Sequence, residues 1–508
     1  MASYTRANAW NNGGTFDNPD LLWYAKGVGV MQSRSLDDPN SWWFFAAIHG
    51  EYVNPNTPWY PAPPAFPGWG FIPSPPQVPI TPLPSQNLQD LYWDQCQHGS
   101  WYFVPWHRGY LIALEAQIRA AVMNLGGPSD WALPYWNYFG PGDEYKIPPA
   151  FTQQTLPDGT PNSLFVTARY GPNFDGNIYI TTDENADCQN DTVYTGGYGG
   201  GDTGFSHSGG DAGNLESNPH NGVHVDVGGY RNRRNFGLMA NPSIAALDPI
   251  FYLHHCNIDR MWAAWNANRN DNPTDPNWLA GPAAVGEREF AMPMPDGSSW
   301  VYTPNDVKSL SQLNYIYDNL TTGLLPQASD RLTRRLMKLG AAPAAARTAP
   351  GGNMDSGDNA ELVGTHDGAL QIKSSGARAT VRLDSDVRGK VSASLAAASD
   401  ASLPDRVYLR LENVRGEIDA TKLYVSVNGQ QVGHVALFGL QRASSKDGQH
   451  GGEGLAFRLD ITNVIDNLFL NNTLDADSLD VRIEPNHEVP DDEELIIGRI
   501  SIYRQGQQ

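Results

Sequence analysis

Asp248-Pro-Ile-Phe251-Tyr-Leu-His254-His255-Cys-Asn-Ile-Asp259-Arg260-Met-Trp262 is the segment that constrains the architecture most strongly. Asp248 is a capping side chain and Pro249 suits a first helical turn, so a helix is expected to open here and run to about Asn266. Upstream, Asn218-Pro-His220-Asn-Gly-Val-His224 sets two imidazoles one turn apart on one helical face, where both can meet one metal ion. Such pairs are common on surfaces, but His255 on the following helix offers a third imidazole. Asp259, four residues beyond His255, falls on the same face and is expected to orient a ligand from behind.

A second trio lies nearer the N-terminus. His49 closes an aromatic helix expected over Pro39 to His49, with Trp42, Trp43 and Phe45 in it. Cys96-Gln-His98-Gly-Ser-Trp-Tyr-Phe-Val-Pro-Trp106-His107-Arg108 adds two more imidazoles ahead of a helix expected from Trp106 to Leu125. His98 and His107 are too far apart to share a helical face, so they meet as a loop ligand and a helix-start ligand, with Pro105 breaking the chain between them. Imidazole-only sites suit copper, zinc or iron, and spacing does not choose among them. A dizinc hydrolase is disfavoured because neither cluster supplies a bridging carboxylate.

Bulk properties narrow the partners. Lys and Arg number 34 against 55 Asp and Glu, a net charge of −21, which argues against a nucleic-acid partner. No apolar run reaches membrane-spanning length and no signal peptide is visible, so the chain is expected to be cytoplasmic or released without one. Twelve prolines between Pro55 and Pro84 and a glycine-rich run from Gly196 to Gly213 mark two loops within the helical part. Around Gly340 the sequence turns to Ala, Pro, Gly and Ser. Beyond it, Val407, Leu409 and Leu411, then Leu423, Val425 and Val427, alternate with polar residues before an Asn428-Gly429 turn. The fold expected is therefore a mainly α catalytic domain built on a four-helix bundle with long loops (1–339), a flexible linker (340–370) and an antiparallel β-sandwich C-terminal domain (371–508).

The two histidine segments resemble the two copper-binding regions of the tyrosinase, catechol oxidase and haemocyanin family, through Trp-His-Arg at 106–108 and Asp-Pro-x-Phe-x-x-His-His-x-x-x-Asp-Arg-x-Trp at 248–262. That resemblance implies two copper ions, one held by His49, His98 and His107 and the other by His220, His224 and His255, with O2 and small phenols as reactants. It also implies a thioether between Cys96 and His98. Glu216 and Asn221 resemble the pair that holds a water acting as base toward monophenols, with Asp211 a rival to Glu216; otherwise Glu216 is a carboxylate facing a helix N-terminus. Val225 matches a variable position at the pocket mouth. Tyr315-Ile-Tyr317-Asp318 resembles the element closing the catalytic core, with Arg6 pairing to an aspartate near it.

The C-terminal part, with Gly416 to Gly429, resembles the capping domain of plant polyphenol oxidases, which implies a latent enzyme. The loop at His434-Val-Ala-Leu-Phe438 is the segment expected to plug the pocket. The remaining histidines, His207, His366, His434, His450 and His487, are expected to face solvent, and His254 to be a buried neighbour of the ligands. The expected activity is oxidation of phenols or catechols to ortho-quinones. An o-aminophenol oxidase shares the same site, and a haemocyanin-like oxygen carrier is the rival from another class.

Overall fold

Five helices frame the histidines of the first unit of the computed structural model, which describes residues 4–50, 78–79, 81–201, 212–232, 235–268, 270–321, 328–348, 360–444, 452–474, 477–490 and 493–506. Most of the proline-rich and glycine-rich loops, with Asp211, His207 and His450, lies outside the described residues. Helix α1 (Pro19–Gln32) starts where the Asn18 side chain accepts the Asp20 N–H and Pro19 occupies the first turn. It was not foreseen from the sequence. Helix α2 (Trp42–His49) is capped by Ser41 and buried along its whole length. Helix α3 (Phe103–Asn124) begins three residues earlier than expected. Helix α4 (Asn221–Gly228) follows a wider turn over Glu216–His220. Helix α5 (Ile250–Ala267) has its first free N–H, that of Ile250, taken by the Asp248 carboxylate at 3.1 Å.

The helical catalytic domain forms as expected. Helices α1, α3 and α5 are long and pack in sequence, α1 on α3 and α3 on α5. Helices α2 and α4 have eight residues each and carry His49 and His224 against the long helices.

The second unit corrects the sandwich. All its strand pairs are antiparallel, but they form a single nine-stranded sheet. Strands β3 (Ala360–His366), β4 (Leu370–Gln371), β5 (Ala377–Leu383), β6 (Arg406–Gly416), β7 (Lys422–Val427), β8 (Gln430–Ala436), β9 (Leu455–Asp460), β10 (Ser478–Pro485) and β11 (Leu495–Gln505) run in the order β8-β7-β10-β5-β3-β11-β6-β9, with β4 added to β11. Strands β1 (Tyr4–Arg6) and β2 (Tyr315–Tyr317) belong to the first unit. The sheet curls until its two edge strands approach, so that a Cβ on Gly433 of β8 would lie 3.1 Å from the Leu459 side chain of β9. Helices supply the second layer: Val387, Val391 and Leu395 of Ser385–Ala397 and Val464 and Ile465 of Thr462–Leu470 share the core of the strands. Alternation along strands reads identically in a sandwich and in a rolled sheet covered by helices, which is why the sequence pattern misled here. The Asn428-Gly429 hairpin forms as expected, both residues at positive φ.

The linker shrinks. Helix Pro343–Thr348 and strand β3 lie within the 340–370 stretch, and Leu336, Leu339, Ala341 and Ala346 are buried in the second core. Arg335, ion-paired to Asp466 at 2.8 Å, ties the helix Ala328–Lys338 to the sheet unit, so that unit starts before residue 339. Residues 349–359 lie outside the described residues. No helix among the described residues is long and apolar enough to cross a membrane.

Asp259 holds the first unit together. Its carboxylate is paired with Arg108 of α3 at 2.5 Å and Arg6 of β1 at 3.2 Å, and it accepts the hydroxyls of Tyr315 and Tyr317 at 2.7 and 2.5 Å. The expectation that Asp259 orients a ligand is thereby corrected: its oxygens serve arginines and tyrosines one turn below His255, anchoring α5 rather than a ring. Arg6 is fully buried and also meets Glu115, far from the surface pair it could have been. Burial would raise the Asp259 pKa, but Arg108 and Arg6 outweigh it and hold the carboxyl below its ordinary value. Asp259→Asn leaves two buried guanidiniums short of their counter-charge and should lower unfolding stability by about 3–5 kcal/mol. A urea midpoint within error of the parent's would contradict this anchoring role.

Candidate metal centre

Burial and backbone carbonyls fix the orientation of the imidazoles. His49 Nδ1 lies 2.8 Å from the Pro242 carbonyl, His107 Nδ1 2.7 Å from that of Phe103, and His224 Nδ1 2.8 Å from that of Met239. Each carbonyl accepts the Nδ1–H, which selects one tautomer and turns Nε2 inward as a lone-pair donor. His220 Nδ1 is served instead by Asn221 Oδ1 at 2.9 Å. The His49 contact requires Gly50, since a Cβ there would collide with the Ser243 backbone. Burial pushes the pKa of His49 and His220 down to about 3 and those of His107, His224 and His255 well below the ordinary value, so all five rings are neutral ligands at physiological pH.

Two donor groups result: His49, Cys96, His98 and His107, and His220, His224, His254 and His255, the donor atoms within each group lying within 4.8 Å of one another. The two groups adjoin, because the His107 and His255 rings stack at 4.4 Å and His98 lies 5.7 Å from His220. All six expected ligands are therefore brought together. His254 joins the second group, its ring 5.3 Å from that of His220. Neither group contains a carboxylate among the described residues, which counts against dizinc hydrolysis.

Aromatic walls separate the groups from the rest of the core. Phe251 packs 4.1 Å from His255 and 4.7 Å from His49, and Phe103 packs 4.6 Å from His220 and 4.7 Å from His107. Neither was singled out from the sequence, although Phe251 sits inside the quoted motif. The pocket mouth is closed by the second unit. Phe438, two residues past β8, stacks on His224 at 4.1 Å with an interplanar angle of 20° and lies 5.7 Å from His98. Val225, beside His224, is covered. Glu216 is buried and accepts the Gly99 N–H through both oxygens, at 2.8 and 3.0 Å, which ties it to the loop carrying His98. Two histidines expected in solvent are corrected: His434 contacts Glu184 at 3.1 Å and His487 packs on Phe174 at 4.0 Å, both between the units.

Residues 39–268 match the family model for the common central domain of tyrosinase, and residues 359–505 match a domain of unknown function. The chain is 32% identical to tyrosinase HcTyr1 of Hahella sp. (strain CCB-MM4) over 95% of its own length and 96% of that protein. It belongs to the tyrosinase family. A latent-form chloroplastic polyphenol oxidase of Prunus armeniaca is 29% identical over 51% of this chain, which spans only 40% of that longer protein. Among solved structures, latent apple tyrosinase superposes with a TM-score of 0.56 at 17% identity, covering 100% of this chain and 98% of that one. Latent aurone synthase, a polyphenol oxidase, gives 0.56 at 18% identity over 99% and 89%. Both units of this tyrosinase thus share the overall fold of those proteins.

As a member of that family, the protein is a copper oxidoreductase acting on phenols, and its cofactor is a pair of copper ions. The donors fit that pair. His220 and His224 each present Nε2 at 3.3 Å from His255 Nε2, the spacing that three nitrogens take about one ion at roughly 2.0–2.1 Å. His49 Nε2 is buried without a hydrogen-bond partner, an orphan that a cation would satisfy. His224→Ala should lower copper from two ions per chain toward one, measured by elemental analysis of the purified protein; unchanged copper content would remove His224 from the ligand set.

Proposed function

We propose that this tyrosinase oxidises monophenols and catechols to ortho-quinones with O2, using His49, His98 and His107 for one copper and His220, His224 and His255 for the other. The stacking of His107 on His255, which brings the two donor groups side by side, is the observation that supports this proposal. When bound, the copper pair supplies the two-electron chemistry between the phenol and O2. The chain supplies the rest. Phe438 marks where a flat ring lies against His224, and the apolar side chain of Val225 beside it favours uncharged rings. Glu216 and Asn221 hold the water that takes the proton from a monophenol, and Glu216 also fixes the His98 loop through Gly99.

Cys96 and His98 form a thioether. The sulfur lies 3.3 Å from Nδ1 and 3.8 Å from Nε2 of His98, hence against the ring edge between the two nitrogens. The bond removes the thiol hydrogen and one ring hydrogen, with O2 as acceptor, and locks the ring. An intact mass two hydrogens lower than the sequence mass supports it, and a titratable Cys96 thiol in active protein excludes it.

Phe438 keeps the uncut chain latent by occupying the substrate's place. Copper-loaded Phe438→Ala should oxidise catechol about tenfold faster than its parent, because the open fraction of molecules rises. In that background Glu216→Gln should slow tyrosine hydroxylation about a hundredfold while nearly sparing catechol oxidation. Equal loss on both substrates, or loss of copper, would confine Glu216 to a structural role, and turnover of o-aminophenol but not catechol would redirect the assignment to an o-aminophenol oxidase.

A further inference from the structure

The contact between the units is asymmetric in charge. Lys422, the first residue of β7, is 1% exposed in its side chain, and its ammonium meets only groups of the catalytic unit among its recorded partners: Glu184 at 2.6 Å, Asp226 at 2.6 Å and the Thr181 hydroxyl at 2.9 Å. Arg442 meets Asp94 at 2.7 Å, the Tyr424 hydroxyl donates to Asp183 at 2.6 Å, and His434 abuts Glu184. In these contacts the cap brings donors and the catalytic unit brings carboxylates, whereas at Asp419 the cap carboxylate accepts from the Asn241 amide at 2.7 Å. Lys422 differs from the others because one cation answers two carboxylates in a dry site. Burial alone would lower its pKa, but Glu184 and Asp226 outweigh that and keep the ammonium charged.

The same hairpin carries this ammonium and the plug. Lys422 pairs with Ala436 across β7 and β8, the Leu437 N–H donates to the Thr421 carbonyl at 2.9 Å, and Phe438 follows. On the catalytic side, Asp226 stands two residues after His224 and so on the opposite face of α4. The Glu184 carboxylate lies where a Cβ on Gly222 would be, against that same back face. Helix α4 is therefore held from both sides, by Phe438 on the imidazole and by Lys422 behind it.

We propose that Lys422 is the latch of the cap: its ammonium, seated between Glu184 and Asp226, is the positioning group without which the plug cannot stay docked in the uncut chain. The intact ion triad adds little net attraction, since each charge gives up its water on docking. Its force lies in the alternative. A closed state lacking the ammonium buries two carboxylates facing each other, and this is the state the protein would leave. The proposal rests on Phe438 as the occluding residue for its effect on activity, but not for its effect on docking.

The test uses the copper-loaded full-length chain and two readouts, catechol turnover and hydrogen exchange of peptides covering residues 430–442. Lys422→Met is expected to raise turnover about tenfold and to speed exchange over 430–442. Lys422→Arg should behave as the parent, and the triple variant Lys422→Met with Glu184→Gln and Asp226→Asn, which removes the buried charge altogether, should restore slow exchange. If Lys422→Met does not accumulate, Glu184→Gln with Asp226→Asn strands an unpaired ammonium and should open the cap equally. Parental exchange in both opening variants overturns the latch whatever the turnover. Faster exchange reversed in the triple variant upholds it even where Phe438→Ala leaves turnover unchanged, a result that would instead defeat the latency assigned to Phe438.

Discussion

The pairing of Arg108 with Asp259 is the constraint from which the centre is built. Arg108 follows His107 on α3, and Asp259 lies one turn beyond His255 on α5, so a single buried ion pair sets the spacing and rotation of the two helices that bring the donor groups face to face. Arg6, Tyr315 and Tyr317 complete the charge and hydrogen-bond demand of that carboxylate. Everything nearer the metals can then be neutral. Imidazoles in so dry a place lose their protons, and backbone carbonyls at Pro242, Phe103 and Met239 aim three of them. Charge is kept out of the donor set, which is left to neutral imidazoles, with the Glu216 carboxylate beside it on the His98 loop.

The parts of this design that are local in the chain were legible in the sequence. His220 and His224 share a helical face by arithmetic, and the Asp248-Pro249 start and the Asn428-Gly429 turn follow from backbone chemistry that needs no tertiary knowledge. The long strings around His107 and His255 carried the family resemblance, and the loop expected to reach the pocket is the one whose Phe438 stacks on His224. What escaped was set by tertiary partners. Asp259 was assigned to the wrong neighbour because Arg6 and Tyr317 are distant in sequence, His434 was expected in solvent, and Lys422 carried no signal of its own. Their burial exists only because another unit covers them. The rolled sheet escaped for a similar reason, since closure depends on which strands become neighbours.

The cap imitates two different things at once. Phe438 offers an aromatic ring to His224, as a phenol would, and Lys422 offers a counter-charge to carboxylates behind the same helix, as an interior residue of the catalytic unit would. Under the proposed latency the first contact is one that a substrate has to displace, whereas the second is structural. A domain that plays both is part of the fold it restrains.

The short loop Asn241–Ser243 illustrates where this leads. The Pro242 carbonyl receives His49, the Asn241 amide donates to Asp419 of the cap at 2.7 Å, and the Pro242 ring lies beside Gly439, next to the plug. Three residues therefore serve two masters. A shift of this loop would disturb the aim of the His49 ring and the seating of the cap together.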